Sequence, residues 1–465
     1  MQYDSIIIGA GMSGLAAGIR LAHFGQKVCI LEKHFREGGL NSYFSRAGYE
    51  LETGLHAMTN FAPAKGAKAL PLSKLLRQLR IPHESLMLRE QNYSKIVFPS
   101  ATLKFNNDFE LLLNEVSQKF PSEIDGFVKL NEYIRNYNEV SLTTEYIAAK
   151  EVIAKFIKDE LLIDMIICPL MYYGSAVEDD MDFSQFVIMY KSIFYEGFCR
   201  PAGDGVRQVL NKLLERYEES GGELRLSTGV EKIIATNDSV SEVITTNGES
   251  LYAKNILSSI GNIETLKLCN EQPDNISDLP TGELGYIESI AILEDYLDDY
   301  DNDETIIFFS NSDKFKYAKP NAPASFDSGV ICFPHNFQFN DTDKKPPKAI
   351  RVTGLANYEH WLDQDPNEYK KMKIDVSAEY FKCAEKITGV LNIEQNAKLL
   401  DTMTPKTIQR FTGHIHGSIY GSPLKVKQGT THLDNLFICG TDQGFLGITG
   451  AMLSGISMAN LHMLR

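Results

Sequence analysis

The sequence predicts an α/β fold with a Rossmann-type dinucleotide-binding domain, and an apolar strand near each end of the chain carries this prediction. At the N-terminus a β-branched run over residues 5–8 leads into a glycine-rich turn, a helix-like stretch and a second apolar run over residues 28–31. Near the C-terminus an apolar run over residues 435–439 again leads into glycines and a helix-like stretch. A strand that ends in glycines before a helix N-terminus is typical of a phosphate-binding site.

Three glycines of the N-terminal turn have separate roles in such a unit. Gly9 allows the tight turn after the strand, Gly11 lets the backbone approach a pyrophosphate, and Gly14 lets the helix pack on the strand. Glu32 closes the second strand, where an acidic side chain accepts hydrogen bonds from an adenosine ribose. The unit suits NAD and FAD equally, because both cofactors carry that ribose.

The length, charge and cysteines of the chain limit the classes of protein that it can belong to. Its 465 residues suggest two or three domains. The net charge of −15 argues against nucleic acid as a partner and leaves apolar contact as the way to meet a membrane. The seven cysteines include no CxxC pair, and we find neither a leader peptide nor an apolar run of about 18 residues. We therefore expect a cytoplasmic protein without a spanning helix, at most peripheral at a membrane.

Motifs along the whole chain resemble those of a flavoprotein superfamily that includes phytoene desaturases, carotenoid isomerases, retinol saturases and amine oxidases. The stretch GTDQGFLGITGAMLSG, over residues 440–455, is similar to the C-terminal flavin motif of the retinol-saturase and carotenoid-isomerase branch. The other matches follow the superfamily's order, although Asp204 stands where a glycine is usual. They are Gly38-Gly39, the turn Glu52-Thr53-Gly54, the segment 201–205, the strand and hairpin over 221–258, and the segment 403–421.

The resemblance implies a Rossmann-like FAD-binding domain of the glutathione reductase type with an inserted α+β substrate domain. The first insert is predicted to be mainly helical, with one helix over residues 146–165, and the second to mix strands with a helix near 367–387. We expect the substrate entrance around the very apolar residues 161–173. The expected pieces are residues 1–70, 200–275 and 410–465 for the FAD-binding domain, and 71–199 and 276–409 for the substrate domain.

The resemblance also implies that the cofactor is FAD. We expect it to be bound non-covalently, because residues 440–450 contain neither cysteine nor histidine. No metal site is expected, since His414 and His416 would share one face of a strand without a third ligand nearby. The residues expected to bind FAD are Gly9, Gly11, Met12, Ser13, Gly14, Glu32, Lys33, Gly39, Leu40, Asn41, Val230, Gly440, Asp442, Gly447, Ile448 and Thr449.

Two residues are candidates for a catalytic role. His56 follows the Glu52-x-Gly54 turn, where the saturase branch also has a histidine, and it could act as an acid or position a group at the flavin. A histidine held by backbone groups is the alternative at this position. Tyr420 lies in a segment that resembles the approach to the flavin site, and core packing is its alternative role.

Together these observations predict an FAD-dependent oxidoreductase that acts on C–C or C=C bonds of a long apolar polyene or isoprenoid lipid. Desaturation, saturation and isomerisation all suit one scaffold, because the flavin supplies the hydride chemistry. The expected partners are the apolar substrate, a diffusing electron donor or acceptor, and a peripheral membrane contact. The alternatives are an amine oxidase-like flavoprotein and a non-catalytic prenyl-lipid binder that resembles the Rab GDP-dissociation inhibitors.

Overall fold

The computed structural model describes residues 2–54, 57–63, 68–300 and 302–464, which form two large β-sheets with helices packed against both. The α/β class and its Rossmann-like character are thereby confirmed. The strands of each sheet come from distant parts of the chain, so both sheets are completed only by long-range pairing.

The first sheet contains the N-terminal strand at its centre. Gln2–Ile8 pairs in parallel with Val28–Leu31 on one side and with Ser250–Ser258 on the other. Leu436–Ile438, close to the C-terminus, pairs in parallel with Ser250–Ser258, so both chain ends meet in this sheet. The order of strands is Val230–Thr236, Ser239–Thr245, Ser250–Ser258, Gln2–Ile8, Val28–Leu31 and Glu223–Arg225, with Leu436–Ile438 beside Ser250–Ser258.

Two helices that start at the predicted glycine turns cross closely over the first sheet. Met12–His23 follows the N-terminal turn, and Gly447–Met458 follows the C-terminal one. The second helix begins at Gly447, within the glycine-rich stretch itself. A Cβ atom on Gly455 would lie 2.0 Å from the carbonyl oxygen of Ser13, so glycine is required where these helices meet. The shared apolar core also includes buried residues of the helices Pro71–Leu79 and Val206–Glu219.

The second sheet is largely antiparallel and separates two apolar cores. Helix Pro366–Thr388 packs on one face, and helices of the segment 109–195 pack on the other. Strand residues alternate between the two cores, as Tyr286 and Ile287 do. The order of strands is Leu399–Met403, Gly285–Ile292, Ala349–Ala356, Ser328–Cys332, Glu304–Ser310, Tyr93–Val97 and Thr102–Phe105.

The helix predicted over residues 146–165 is wrong, because the structure has two helices there, Ala149–Ile153 and Glu160–Gly174. The break has a local cause: the Asp159 side chain accepts the Leu162 backbone N–H and starts a new helix. The substrate entrance expected at residues 161–173 is also wrong. Residues 162–174 are buried in the core, so they present no opening at the surface.

Two short strand pairs and several helices lie outside the two large sheets. Tyr43–Arg46 pairs with Tyr49–Glu52, and Leu88–Glu90 pairs with Cys199–Pro201. The remaining helices are Phe109–Lys119, Ile124–Asn136, Phe183–Tyr190 with a π-helical extension Lys191–Tyr195, Asn262–Leu268, Glu359–Leu362, Ile393–Asn396, Pro405–Thr412 and a π-helical turn Ala459–Met463. Short 3₁₀ helices lie at Gly39–Asn41, His83–Leu86, Ile276–Asp278, Glu294–Asp299, Ile415–Gly417 and Thr441–Gln443.

Within the described ranges, no helix has both the length and the apolar character needed to cross a bilayer. The expected division into a cofactor domain and a substrate domain stays a prediction. The strands of the first sheet lie between residues 2 and 31, between 223 and 258, and at 436–438, whereas those of the second lie between 93 and 105 and between 285 and 403.

Candidate active site

The N-terminal glycine turn forms an open cradle at the start of helix Met12–His23. A Cβ atom on Gly14 would lie only 2.1 Å from the Gly9 carbonyl oxygen, so the fold itself requires glycine there. A Cβ atom on Gly11 would meet nothing within 4 Å, so this face of the turn is open to a ligand. Backbone N–H groups at a helix N-terminus favour an anion, which makes the cradle suitable for a pyrophosphate.

Glu32 connects the second strand to this cradle. Its Oε2 accepts the Ala10 backbone N–H at 2.8 Å, and its Oε1 accepts the His34 backbone N–H at 2.9 Å. A carboxylate offers about four acceptor positions, so two such bonds leave capacity for ribose hydroxyls. The carboxylate therefore both fixes the turn and lines the space in front of it.

A cavity of about 520 Å³ begins at Glu32 and extends to the second sheet; we call it the central cavity. Its lining comes from several parts of the chain that are far apart in sequence, and three of them contribute most of it. The N-terminal part contributes Glu32, His34, Phe35, Arg36, Gly39 to Phe44, Thr53, Gly54 and Ala57 to Thr59; the C-terminal part Thr441, Phe445 to Ile448 and Ala451; and the second sheet Tyr286, Glu288, Thr353, Thr402 and Met403.

Several buried polar atoms along this path lack a hydrogen-bond partner among the described residues. They include His34 Nε2 and Ser42 Oγ in the cavity wall, and Thr449 Oγ1 in the helix that follows the C-terminal glycines. Buried polar groups of folded proteins are usually paired, so each such atom indicates a missing partner. Together with the open face at Gly11, they fit a bound FAD, which offers hydrogen-bonding groups along its length.

The structure brings some of the predicted FAD-binding residues to the central cavity and leaves others away from its lining. Those that line it are Glu32, Gly39, Leu40, Asn41, Gly447 and Ile448. Gly9, Gly11, Met12, Ser13 and Gly14 form the adjoining turn and helix start. Lys33, Val230, Gly440, Asp442 and Thr449 are not lining residues, although a Cβ atom on Gly440 would lie 2.9 Å from Ser13 Oγ. The binding roles stay predictions.

Asp442 holds three segments of backbone together. Its Oδ1 accepts the Ser422 N–H at 2.8 Å, and its Oδ2 accepts the Asn262 N–H at 2.7 Å. The side chain is buried, so these bonds satisfy backbone groups that water cannot reach. The FAD-binding role expected for Asp442 stays a prediction.

Of the two candidate catalytic residues, His56 lies outside the described residues. Tyr420 lines the central cavity, and its hydroxyl donates to the Tyr172 carbonyl oxygen at 2.6 Å. Burial raises the pKa of the Tyr420 phenol far above its usual value, so this side chain is neutral. Its ring meets that of Tyr286 edge to face, with 6.0 Å between centroids, so Tyr420 joins the C-terminal segment to the second sheet.

An ion pair lies in the cavity wall that the second sheet provides. Arg351 donates from Nε to Glu288 Oε1 at 2.9 Å and from Nη2 to Oε2 at 2.7 Å. Arg351 Nη2 also donates to the Glu52 carbonyl oxygen at 2.8 Å, and Glu52 forms an ion pair with Arg200 at 2.7 Å. Burial raises the pKa of Glu288, although Arg351 opposes the shift. The wall therefore combines charged and polar groups with aromatic rings.

His414 and His416 do not share the face of a strand as expected. His416 has a positive φ of 55° inside the short helix Ile415–Gly417, which turns the two side chains toward different partners. His416 Nδ1 lies 3.1 Å from Glu283 Oε1, whereas His414 Nδ1 lies 3.8 Å from Glu264 Oε1.

Sequence reasoning missed the second-sheet part of the cavity. Glu288, Thr353 and Met403 stand side by side on three paired strands, because Glu288 is in register with both other residues. A glutamate within the otherwise apolar run 285–292, and an arginine within 349–356, were the available signals, since buried charges need partners. Exposed Phe35 and the T-shaped contact of His34 with Phe411, at 5.0 Å, were missed as well.

Comparisons with known proteins agree on a flavoprotein fold. A family model described as flavin containing amine oxidoreductase matches residues 12–283. Prolycopene isomerase from Daucus carota is 24% identical over 505 residues, covering 99% of this chain and 80% of that protein. The all-trans-retinol 13,14-reductase of Danio rerio is 22% identical over 546 residues, covering 99% of this chain and 87% of that protein.

Solved structures share this architecture along nearly the full length of the chain. An oxidoreductase from Methanosarcina mazei has a TM-score of 0.65 and 15% identity, covering 99% of this chain and all of that one. Putrescine oxidase with bound putrescine has a TM-score of 0.62 and 14% identity over the full length of both chains. A Rab GDI from Plasmodium falciparum has a TM-score of 0.52 and 12% identity, covering 99% and 98%. At these identities the likeness establishes the fold alone.

Proposed function

Because the chain belongs to the family of flavin containing amine oxidoreductases, which makes it an FAD-dependent oxidoreductase, we propose that its substrate is a long apolar polyene or another isoprenoid lipid. The reaction would desaturate, saturate or isomerise a C–C or C=C bond of that lipid. The proposal is supported by relatives that match 99% of the chain and are named for a polyene substrate, prolycopene or all-trans-retinol.

The observation that carries this proposal is the composition of the central cavity. One cavity joins the cofactor cradle near Glu32 to a wall formed by the second sheet. Phe44, Tyr173, Tyr286, Ile419 and Leu446 give this space a mainly apolar lining beyond the cradle. Such a lining favours an apolar substrate beside the cofactor.

When bound, FAD supplies hydride exchange with a substrate carbon. The contributions of the chain are binding, orientation and exclusion of water. The open face at Gly11 and the carboxylate of Glu32 would hold the pyrophosphate and the adenosine ribose. The neutral phenols of Tyr173 and Tyr420 would orient the substrate without adding charge to the cavity. That the cofactor supplies the chemistry and the chain supplies binding and orientation agrees with the lack of a prominent acid–base pair in the sequence.

We propose a diffusing electron donor or acceptor, since the sequence contains one GxGxxG unit and that unit is assigned to FAD.

We also propose contact with a membrane surface, because a lipid substrate is delivered from one. Val140, Tyr146, Ile147 and Leu424 are exposed apolar residues, between 42% and 56% accessible, and Tyr146 and Leu424 line one groove. Leu424→Glu should reduce sedimentation of the protein with phospholipid vesicles, whereas Leu362→Glu, at another exposed leucine, should not.

Purified protein tests the proposed function directly. It should carry a flavin absorbance band between about 350 and 500 nm. Incubation with carotenoid and retinoid polyenes, with and without a reductant, should yield a product that chromatography and mass spectrometry detect. Putrescine and aromatic amines, with peroxide release as the readout, form the comparison arm. Peroxide from amines with unchanged polyenes would favour an amine oxidase, and protein without flavin would favour a lipid carrier.

A further inference from the structure

The hydroxyl of Tyr173 has no hydrogen-bond partner among the described residues, although it is buried. The residue is only 6% exposed, and it lines the central cavity near the end of helix Glu160–Gly174. A buried hydroxyl without a partner destabilises the folded protein, because it has lost its hydrogen bonds to water. In the wall of a cavity, such a group indicates a missing partner in the space that it faces.

The missing hydroxyl partner is specific to Tyr173 when it is compared with other tyrosines of the same core. Four other tyrosines of the same apolar core each have a partner for their hydroxyl within the protein. Tyr172 bonds to Ser328 Oγ at 2.9 Å, Tyr420 to the Tyr172 carbonyl oxygen at 2.6 Å, Tyr317 to the Ser175 carbonyl oxygen at 3.0 Å, and Tyr286 to the Tyr317 hydroxyl. Tyr286 and Tyr420 line the central cavity as well, so of these three tyrosines only Tyr173 has a hydroxyl without a partner among the described residues.

The position of the ring assigns Tyr173 to the substrate side of the cavity. It packs on Phe198 with 5.0 Å between ring centroids and on Phe308 of the second sheet with 5.8 Å. The cofactor cradle, by contrast, is built from the first sheet and its two glycine turns. Glu288 and Thr353 also line the second-sheet side, so the substrate space contains polar groups as well as rings.

From these contacts we propose that Tyr173 binds an oxygen atom of the substrate, which makes the substrate an oxygenated isoprenoid, such as a polyene alcohol, rather than a hydrocarbon. The inference rests on the proposed function and narrows its substrate class. A hydrocarbon would leave the phenol unpaired inside the complex, whereas a hydroxyl or carbonyl oxygen accepts its hydrogen bond. Burial raises the pKa of Tyr173 well above its usual value, so the donor proton stays in place.

The test compares two polyenes that differ in one oxygen atom. All-trans-retinol and its hydrocarbon analogue, with CH₃ in place of CH₂OH, are titrated into the flavin-containing protein, and binding is followed by fluorescence. The unsubstituted protein should bind the alcohol about tenfold more tightly than the hydrocarbon. In Tyr173→Phe the two dissociation constants should become equal through weaker binding of the alcohol.

Two further measurements separate substrate binding from other roles of this phenol. Without polyene, Tyr173→Phe should match or exceed the unsubstituted protein in melting temperature, because it loses an unpaired hydroxyl. The flavin spectrum and flavin affinity should stay unchanged. The matched control is Tyr172→Phe, which loses the bond to Ser328, should melt at a lower temperature and should keep the preference for the alcohol.

The outcomes are distinct. Equal binding of both polyenes by the unsubstituted protein would overturn the inference and leave the proposed function standing. A change of flavin affinity in Tyr173→Phe would also overturn it, because the phenol would then serve the cofactor. If the protein bound neither polyene, the proposed function itself would fail together with this inference.

Discussion

Arg351 and Glu288 form a bidentate ion pair inside the wall of the central cavity, with N–O distances of 2.9 and 2.7 Å. Both side chains are at most 5% exposed. The pair bridges two strands of the second sheet and reaches the carbonyl oxygen of Glu52, the residue before the cavity-lining Thr53. The wall opposite the cofactor is therefore fixed by charge pairing as well as by apolar packing.

Removal of Arg351 should strongly destabilise the protein. Arg351→Met leaves the Glu288 carboxylate buried without its partner, so we expect the free energy of unfolding to fall by about 3–5 kcal/mol. Urea unfolding monitored by circular dichroism measures the change. The control is Lys212→Met, which removes a largely exposed i,i+3 pair with Glu215 and should leave stability unchanged within error. A loss equal to that of the control would contradict the account of the wall.

The glycine turn offers a pair of alanine variants with different expected results. Gly14→Ala places a Cβ atom 2.1 Å from the Gly9 carbonyl oxygen, so it should lower both the melting temperature and the flavin content. Gly11→Ala meets no protein atom within 4 Å, so the chain should fold normally and lose flavin affinity alone. Calorimetry of the flavin-free protein and flavin titration separate the two effects. Normal flavin binding by Gly11→Ala would argue against a pyrophosphate at this face.

Glu196 should make stability depend on pH. Burial raises its pKa from 4.5 to about 7, against an opposing hydrogen bond from Asn60 and the charges of Lys191 and Lys74; Glu139 adds to the rise. Because the folded-state pKa lies above the unfolded value, this group's contribution is complete below pH 4.5 and is lost as pH rises toward 7. The loss should total up to about 3 kcal/mol. In Glu196→Gln, urea unfolding at several pH values should show that this part of the pH dependence of the free energy of unfolding is gone. An unchanged pH dependence would mean that another group causes it.

Substitution of Asp442 should distinguish its role in holding the backbone from a role in binding the cofactor. Asp442→Ala removes the acceptor of the Ser422 and Asn262 N–H groups, so we expect a loss of about 1–3 kcal/mol for each N–H left buried and unpaired. This loss should appear in the flavin-free protein. If the carboxylate also holds the flavin, flavin affinity should fall in addition. A full effect on flavin with no effect on the flavin-free protein would contradict the backbone role.

The parts of the fold that local sequence patterns determine could be predicted. The run before Gly9 forms the central strand of the first sheet, and the strands expected in the second insert include Gly285–Ile292 and Ala349–Ala356. Apolar runs and glycine turns are local signals, so they are readable without the tertiary structure. The break at Asp159 was missed because a helix N-cap within a helix-forming stretch is a weak local signal.

The wall of the cavity could not be predicted in the same way. Glu288, Thr353 and Met403 become neighbours only through the register of three strands that are distant in sequence. The place of Tyr173 could not be predicted either, because an apolar helix can lie in a core or line a cavity. Its unpaired hydroxyl becomes visible only when the partners of the surrounding tyrosines are known.

The central claim is that this chain uses FAD to change a polyene lipid, and one anaerobic experiment tests it most directly. Purified protein is prepared in two samples, one with reduced and one with oxidised flavin. Each sample is mixed with a retinoid or carotenoid polyene, and the lipid is analysed by chromatography and mass spectrometry. We predict bound flavin and a lipid that differs from the starting polyene by two hydrogens or by double-bond geometry, with no such product when Gly14→Ala is used. Protein that carries flavin but leaves every polyene unchanged under both reducing and oxidising conditions would contradict the claim.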